Sequence, residues 1–137
     1  MRFTQPLVHR IAISVFFFCC GCTFATWAAR IPSIKEKFHF NEAELGAILF
    51  MLPLGSFIAL PFAGWAVSHF GSRIMTFISA ILYVVLLAGI GFSHSVIVLS
   101  VVLFFFWFLG VVFNIAMNTQ AVLVQQEMYS RPLMSSF

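Results

Sequence analysis

Two sets of side chains in this sequence have the types and the spacing to recognise a small molecule. In a helix, residues three, four and seven apart share a face. Thr23, Thr26, Trp27 and Arg30 fall on one such stripe, with Phe16 and Cys19 further along it. Trp107, Gly110, Asn114 and Asn118 form a second. Hydroxyl, amide, indole and guanidinium groups exchange hydrogen bonds, and indole rings add flat apolar faces. This is binding chemistry. No nucleophile–base pair and no phosphate-cradling glycine loop accompanies either stripe, so no enzyme is expected.

Cys19, Cys20 and Cys22 offer a different chemistry on paper. They are too close together for a disulfide framework, and no His or acid near them completes a metal set. A thiolate is also costly in an apolar setting, so the three read as small packing residues. No metal and no cofactor is expected.

The elements that carry the stripes must sit in lipid. Of 137 residues, 62% are hydrophobic and 8% charged, and nineteen are Phe. Soluble domains hold about 45–50% apolar and about 25% charged residues. The expected partners are therefore the bilayer and a small-molecule solute. The net charge of +3 forms no basic stripe interleaved with aromatics, which excludes nucleic acid.

A spanning helix needs about 20 mostly apolar residues. Four windows qualify, 11–29, 45–67, 74–92 and 96–117, and none contains Asp, Glu, Lys, Arg or His. The first is longer than the roughly 7–15 residues of a signal peptide's apolar region, so it is expected to be retained. The fold class is an all-α membrane protein with four transmembrane helices in antiparallel hairpins. Within the second span, Pro53 and Pro61 weaken the backbone ladder. Gly55, Ala59 and Ala63 make a small-residue seam for close approach of another helix.

Between the first two spans, Ile31, Ile34 and Phe38 alternate with Lys35, Glu36 and Lys37, predicting a short amphipathic helix on the interface. Asn41 and Glu44 predict a capping box that opens the second span. Arg2, Arg10, Arg73 and Arg131 fall on one side, against Arg30, Lys35 and Lys37 on the other. That bias predicts both termini in the cytoplasm of a bacterial inner membrane. After a polar connection over 125–130, Pro132 has the character of an entrance to another helix.

The stretch from Gly64 to Arg73 resembles the signature loop between helices two and three of the major facilitator superfamily, G-x-x-x-D-R-x-G-R-R/K. Gly64, Gly71 and Arg73 match, whereas Ser68 replaces the acid, His69 the first base and Ser72 the next. In the family that acid helps latch the two halves, a function Ser68 does not reproduce. Three other stretches, Thr26-Trp27-Ala28-Ala29-Arg30-Ile31-Pro32, Asn114 to Ala121 and Arg131 to Phe137, are similar to a bacterial MosC-like subgroup. The resemblance covers the whole chain but about the first third of a twelve-helix member. It implies helices one to four of an N-terminal six-helix bundle, with C-terminal helices of the same transporter missing, and a sugar- or polyol-like solute. Helices one and four line the family's central cavity, where both stripes would lie.

Alternatives stay open at this level. The asparagines suit a cavity wall or interhelical glue, and Arg30 suits solute binding or snorkelling to headgroups. The spans hold no ionisable group for proton coupling. A complete four-helix exporter acting as a dimer fits the span count but lacks the membrane-embedded Glu on its first helix. A non-transporting remnant is the other rival.

Overall fold

The computed structural model describes the backbone of residues 4–128 and the side chains of residues 11–124. Arg2, Arg131 and Pro132 lie outside the described residues, as does the side chain of Arg10. Five helices follow in order: α1 (Thr4–Phe38), α2 (Glu42–Leu49), α3 (Met51–Phe70), α4 (Ser72–Phe92) and α5 (Val96–Met128). The described residues contain no strand. α2 and α3 form one crossing, so four segments are long and apolar enough to span a membrane: Ile11–Phe38, Glu42–Phe70, Ser72–Phe92 and Val96–Val124. Only 17–28% of each span's most apolar window is buried within the chain. Phe18, Phe57, Phe92 and Ile97 are among the large apolar side chains left outward, which suits lipid contact.

The first helix is longer than its charge-free run. No separate interfacial helix forms, because α1 continues through Pro32 to Phe38. The Ile31, Ile34 and Phe38 stripe packs against the core cluster instead of lying on a membrane surface. α1 stops in a paired-bond cap. His39 takes a positive φ of 53°, its N–H donates to the Glu36 carbonyl, and the Phe40 N–H donates to the Lys35 carbonyl. Phe40 folds back to stack on Phe38, with ring centroids 5.3 Å apart.

The capping box forms as the sequence predicts. Asn41 Oδ1 accepts from the Glu44 N–H, and Glu44 Oε2 accepts from the Asn41 N–H, each at 2.9 Å. The second crossing then breaks its helix at Phe50, between α2 and α3. Pro53 explains the position, since it has no N–H to offer the Leu49 carbonyl four residues back. At the far end, α5 runs on to Met128 rather than yielding to a polar connection at 125. Asn118 bonds to Asn114 within the helix, and Thr119 Oγ1 donates to the Ile115 carbonyl, so these polar residues do not interrupt it.

α5 is the central element, packed along α4 on one side and α3 on the other. Gly55, Ala59 and Ala63 are buried at the α3 contact. A Cβ on Gly55 would stand 2.6 Å from the Phe104 carbonyl oxygen of α5. The seam found in the sequence is therefore where two backbones meet. On the α4 side, Tyr83 stacks on Phe106 at 4.5 Å and 15°.

Gly55→Ala is expected to lower the unfolding midpoint in detergent, at a cost of about 1–3 kcal/mol for overpacking against backbone. Gly64→Ala, which meets nothing within 4 Å, serves as the neutral or mildly stabilising control. Equal midpoints for both variants would contradict the close α3–α5 approach.

Candidate functional site

A cleft of about 440 Å³ opens between α1 and α5, with one wall residue each from α3 and α4. Phe17, Cys20 and Phe24 line it from α1, Leu60 from α3, Tyr83 from α4, and Trp107, Gly110 and Asn114 from α5. No Asp, Glu, Lys, Arg or His is in its lining. Gly110 is required by the tight fit of Tyr83, whose ring edge lies 2.9 Å from where a Cβ would stand.

Aromatic rings dominate one end. Trp107 meets Trp27 at 5.5 Å and 61°, and Phe24 packs on both, at 5.8 Å from Trp107 and 6.1 Å from Trp27. Trp27 is 5% exposed, and its Nε1 donor has no hydrogen-bond partner among the described residues. An unmet buried donor costs about 1–3 kcal/mol. Two turns along α5, the Asn118 Nδ2 donates to Asn114 Oδ1 at 2.8 Å. That bond leaves Asn114 Nδ2 and Asn118 Oδ1 without a partner among the described residues. Asn114 is exposed and Asn118 half-buried, and neither bonds to another helix among those residues.

The structure thus brings Trp107 and Asn114 into the wall of one cleft, with Trp27 buried against Phe24 and Trp107 and with Asn118 bonded to Asn114 outside the lining. It does not gather Thr23 or Arg30 there. Thr23 is buried and its hydroxyl donates to the Cys19 carbonyl at 2.8 Å, while Thr26 donates to Cys22. Phe16, on the same stripe, packs edge-on against Phe77 and Phe113. The α1 residues that face the cleft, Phe17, Cys20 and Phe24, sit one position on, about 100° around the helix. Arg30 lies at the far end of α4, beside Gly91. Tyr83 and Phe24 escaped the sequence reading. A lone tyrosine in an aliphatic span was the available signal for the first.

The signature-loop residues cluster at the opposite end of α4. Gly71 alone joins α3 to α4, with φ 85° and ψ 146°, a region essentially reserved for glycine. Its N–H donates to the Val67 carbonyl. Ser68 Oγ donates to the Trp65 carbonyl, and His69 stacks on Trp65 at 5.6 Å and 7°. Ser72 Oγ donates to Gln120 Oε1 at 2.7 Å, tying the turn to α5. Arg73 is exposed and borders a cavity of about 270 Å³ with Thr76 and Gln120. A Cβ added at Gly64 would meet nothing within 4 Å.

The described residues form an all-α bundle of four apolar spans with an uncharged cleft lining between the first and the last. The sequence pattern of the Major Facilitator Superfamily matches residues 11–133, and the chain belongs to that family of multi-pass membrane transporters. It is 31% identical over 125 residues to an uncharacterised transporter of Sinorhizobium fredii, covering 91% of this chain and 33% of that one. It is 39% identical over 72 residues to the membrane protein MosC of Rhizobium meliloti, covering 53% and 18%. An uncharacterised MFS-type transporter of Yersinia pestis is 27% identical over 134 residues, covering 97% and 35%. The chain spans about a third or less of the length of these relatives. No solved structure matches.

Replacing Gly71 with Ala places a Cβ in a conformation that costs about 1–3 kcal/mol. The variant should unfold earlier than the wild type in a detergent thermal melt, although open space surrounds the site. An unchanged midpoint would mean that the α3–α4 turn takes another backbone path.

Proposed function

We propose that the chain forms part of the N-terminal half of a secondary transporter that moves a neutral, sugar- or polyol-like solute by alternating access. The observation that carries this reading is the cleft between α1 and α5, which combines aromatic faces with the Asn114 amide and has no charged lining. A polyhydroxylated ring offers C–H faces to Trp107 and Phe24 and hydroxyls to the amide pair. Asn114 Nδ2 donates, Asn118 Oδ1 accepts, and the indole N–H of Trp27 is an unspent donor beside the same rings. The Thr23 hydroxyl is spent on the Cys19 carbonyl, and Arg30 lies elsewhere. Further helices of the same transporter close the site from the other side, and rocking of the two halves exposes it alternately. The protein needs no cofactor, binds no nucleic acid and catalyses no covalent step.

Both termini are assigned to the cytoplasmic face of a bacterial inner membrane, which places the Gly71 turn inside and the Arg30–Glu44 segment outside. The lysine and arginine bias of the short connections supports this. Alkylation of single cysteines in a background lacking Cys19, Cys20 and Cys22 tests it. An impermeant reagent added outside is expected to label Lys37→Cys and not His69→Cys, and the reverse overturns the orientation.

For the site, Asn114→Ala in the transporter that contains this chain is expected to raise KM for sugar or polyol uptake about two- to tenfold, one hydrogen bond's worth. Abundance in the membrane should be unchanged. Uptake that falls only in proportion to protein level would assign the pair to helix packing instead.

A further inference from the structure

A second polar site lies at the far end of α4 and shares no residue with the cleft. Arg30, Ser33 and Lys37 stand at i, i+3 and i+7, one face of α1. With Ile34, Phe38 and the α4 residues Ile90 and Gly91 they line a cavity of about 300 Å³. Lys37 Nζ donates to the Ser93 carbonyl at 2.6 Å. The Arg30 guanidinium lies over Gly91, where a Cβ would stand 2.5 Å from Nη1. The carbonyl end of α4 carries partial negative charge and holds both cations there.

Neither cation is used up by that arrangement. An ammonium has three donors and a guanidinium five, and the described contacts engage one on Lys37. No carboxylate lines the cavity to neutralise them. The nearby acids are occupied elsewhere: Glu42 pairs with Lys35, and Glu44 closes the capping box. Glu36 is exposed and outside the lining. The result is two cations and a hydroxyl around one space, with apolar walls from Ile34, Phe38 and Ile90.

The level of the site in the membrane matters as well. Arg30 is the first charged residue after the run 11–29, so the cavity sits where acyl chains give way to headgroups. A planar guanidinium fork beside an ammonium matches phosphate oxygens, and the apolar walls match the glycerol and upper acyl carbons of a lipid. We propose that Arg30, Ser33 and Lys37 form a phosphate-binding site at this end of α4, occupied by an anionic phospholipid headgroup or by free phosphate. A methyl at position 91 would displace the tip of the Arg30 guanidinium from its place over α4.

Native mass spectrometry of the purified 137-residue chain in an uncharged detergent tests this, with acyl-matched phosphatidylglycerol and phosphatidylcholine in competition. Titration with inorganic phosphate, followed by calorimetry, forms the second arm. A preference of about tenfold for phosphatidylglycerol is expected from two cations near the surface. Loss of the preference in an R30Q/K37Q double variant and its weakening in G91A would establish the lipid source. Phosphate binding that the same variants abolish, without lipid preference, would establish free anion. Absence of both signals in the wild type, or a signal that R30Q/K37Q retains in full, overturns the site. Should R30Q/K37Q lose helix content by circular dichroism, G91A decides alone, because it displaces only the flexible tip of Arg30: binding at wild-type strength then overturns the proposal.

Discussion

Within the acyl region nothing outside the chain can hydrogen-bond its backbone, and that constraint governs this structure from end to end. Each N–H and carbonyl must find its partner within the protein. Helices satisfy nearly all of them, and short polar side chains then take second bonds to the same carbonyls. Thr23, Ser56, Thr76 and Thr119 each donate to the carbonyl four residues earlier. A hydroxyl used this way is silent toward a solute. Where a proline removes an N–H the ladder gives way, as at Phe50 ahead of Pro53. Pro61 sits within α3 without ending it.

Because lipid tails are as apolar as leucine, association of the spans rests on close packing rather than expulsion of water. Gly55, Ala59 and Ala63 bring α3 onto the backbone of α5, while Tyr83, Phe106 and Phe113 knit α4 to it through rings. α1 is held differently. It touches the bundle through Phe16 on Phe77 and Phe113, Trp27 on Phe106 and Trp107, and Lys37 on the end of α4. A helix anchored at separate levels leaves room between them, and the cleft lies beside it.

What was legible in the sequence follows from the same physics. Four long apolar segments, the Asn41–Glu44 box and the small-residue seam are local or compositional, and all three reappear in the structure, the first three segments extended into charged residues. The Ile31, Ile34 and Phe38 periodicity was also real, but an apolar stripe does not say whether lipid or another helix covers it. Here the core covers it, and α1 simply continues. The polar run from 125 reads as a connection between helices, yet α5 continues to Met128, with Asn118, Thr119 and Gln120 bonded to Asn114, Ile115 and Ser72. The site was half legible. A helical wheel groups Trp107 with Asn114 and Asn118, but the side of α1 that faces them depends on how α1 is rotated about its axis. Thr23 and Phe24 differ by one position, and only packing chooses between them.

The distinction between spent and unspent polar groups narrows what the proposed site can hold. Thr23 and Thr26 are satisfied by their own helix, and Arg30 lies outside the cleft. What remains is the Trp27 indole donor on α1, packed against Trp107, and an amide donor and acceptor on α5 at Asn114 and Asn118. Aromatic faces lie near the first group, and no lining charge lies near either. A cation would find no counter-charge in this lining, and an anion would find no Arg or Lys. On the reading proposed above, a neutral solute with hydroxyls along an apolar ring meets the aromatic faces and the Asn114 amide without stranding a charge of its own, which makes it the ligand whose burial would cost this cleft least.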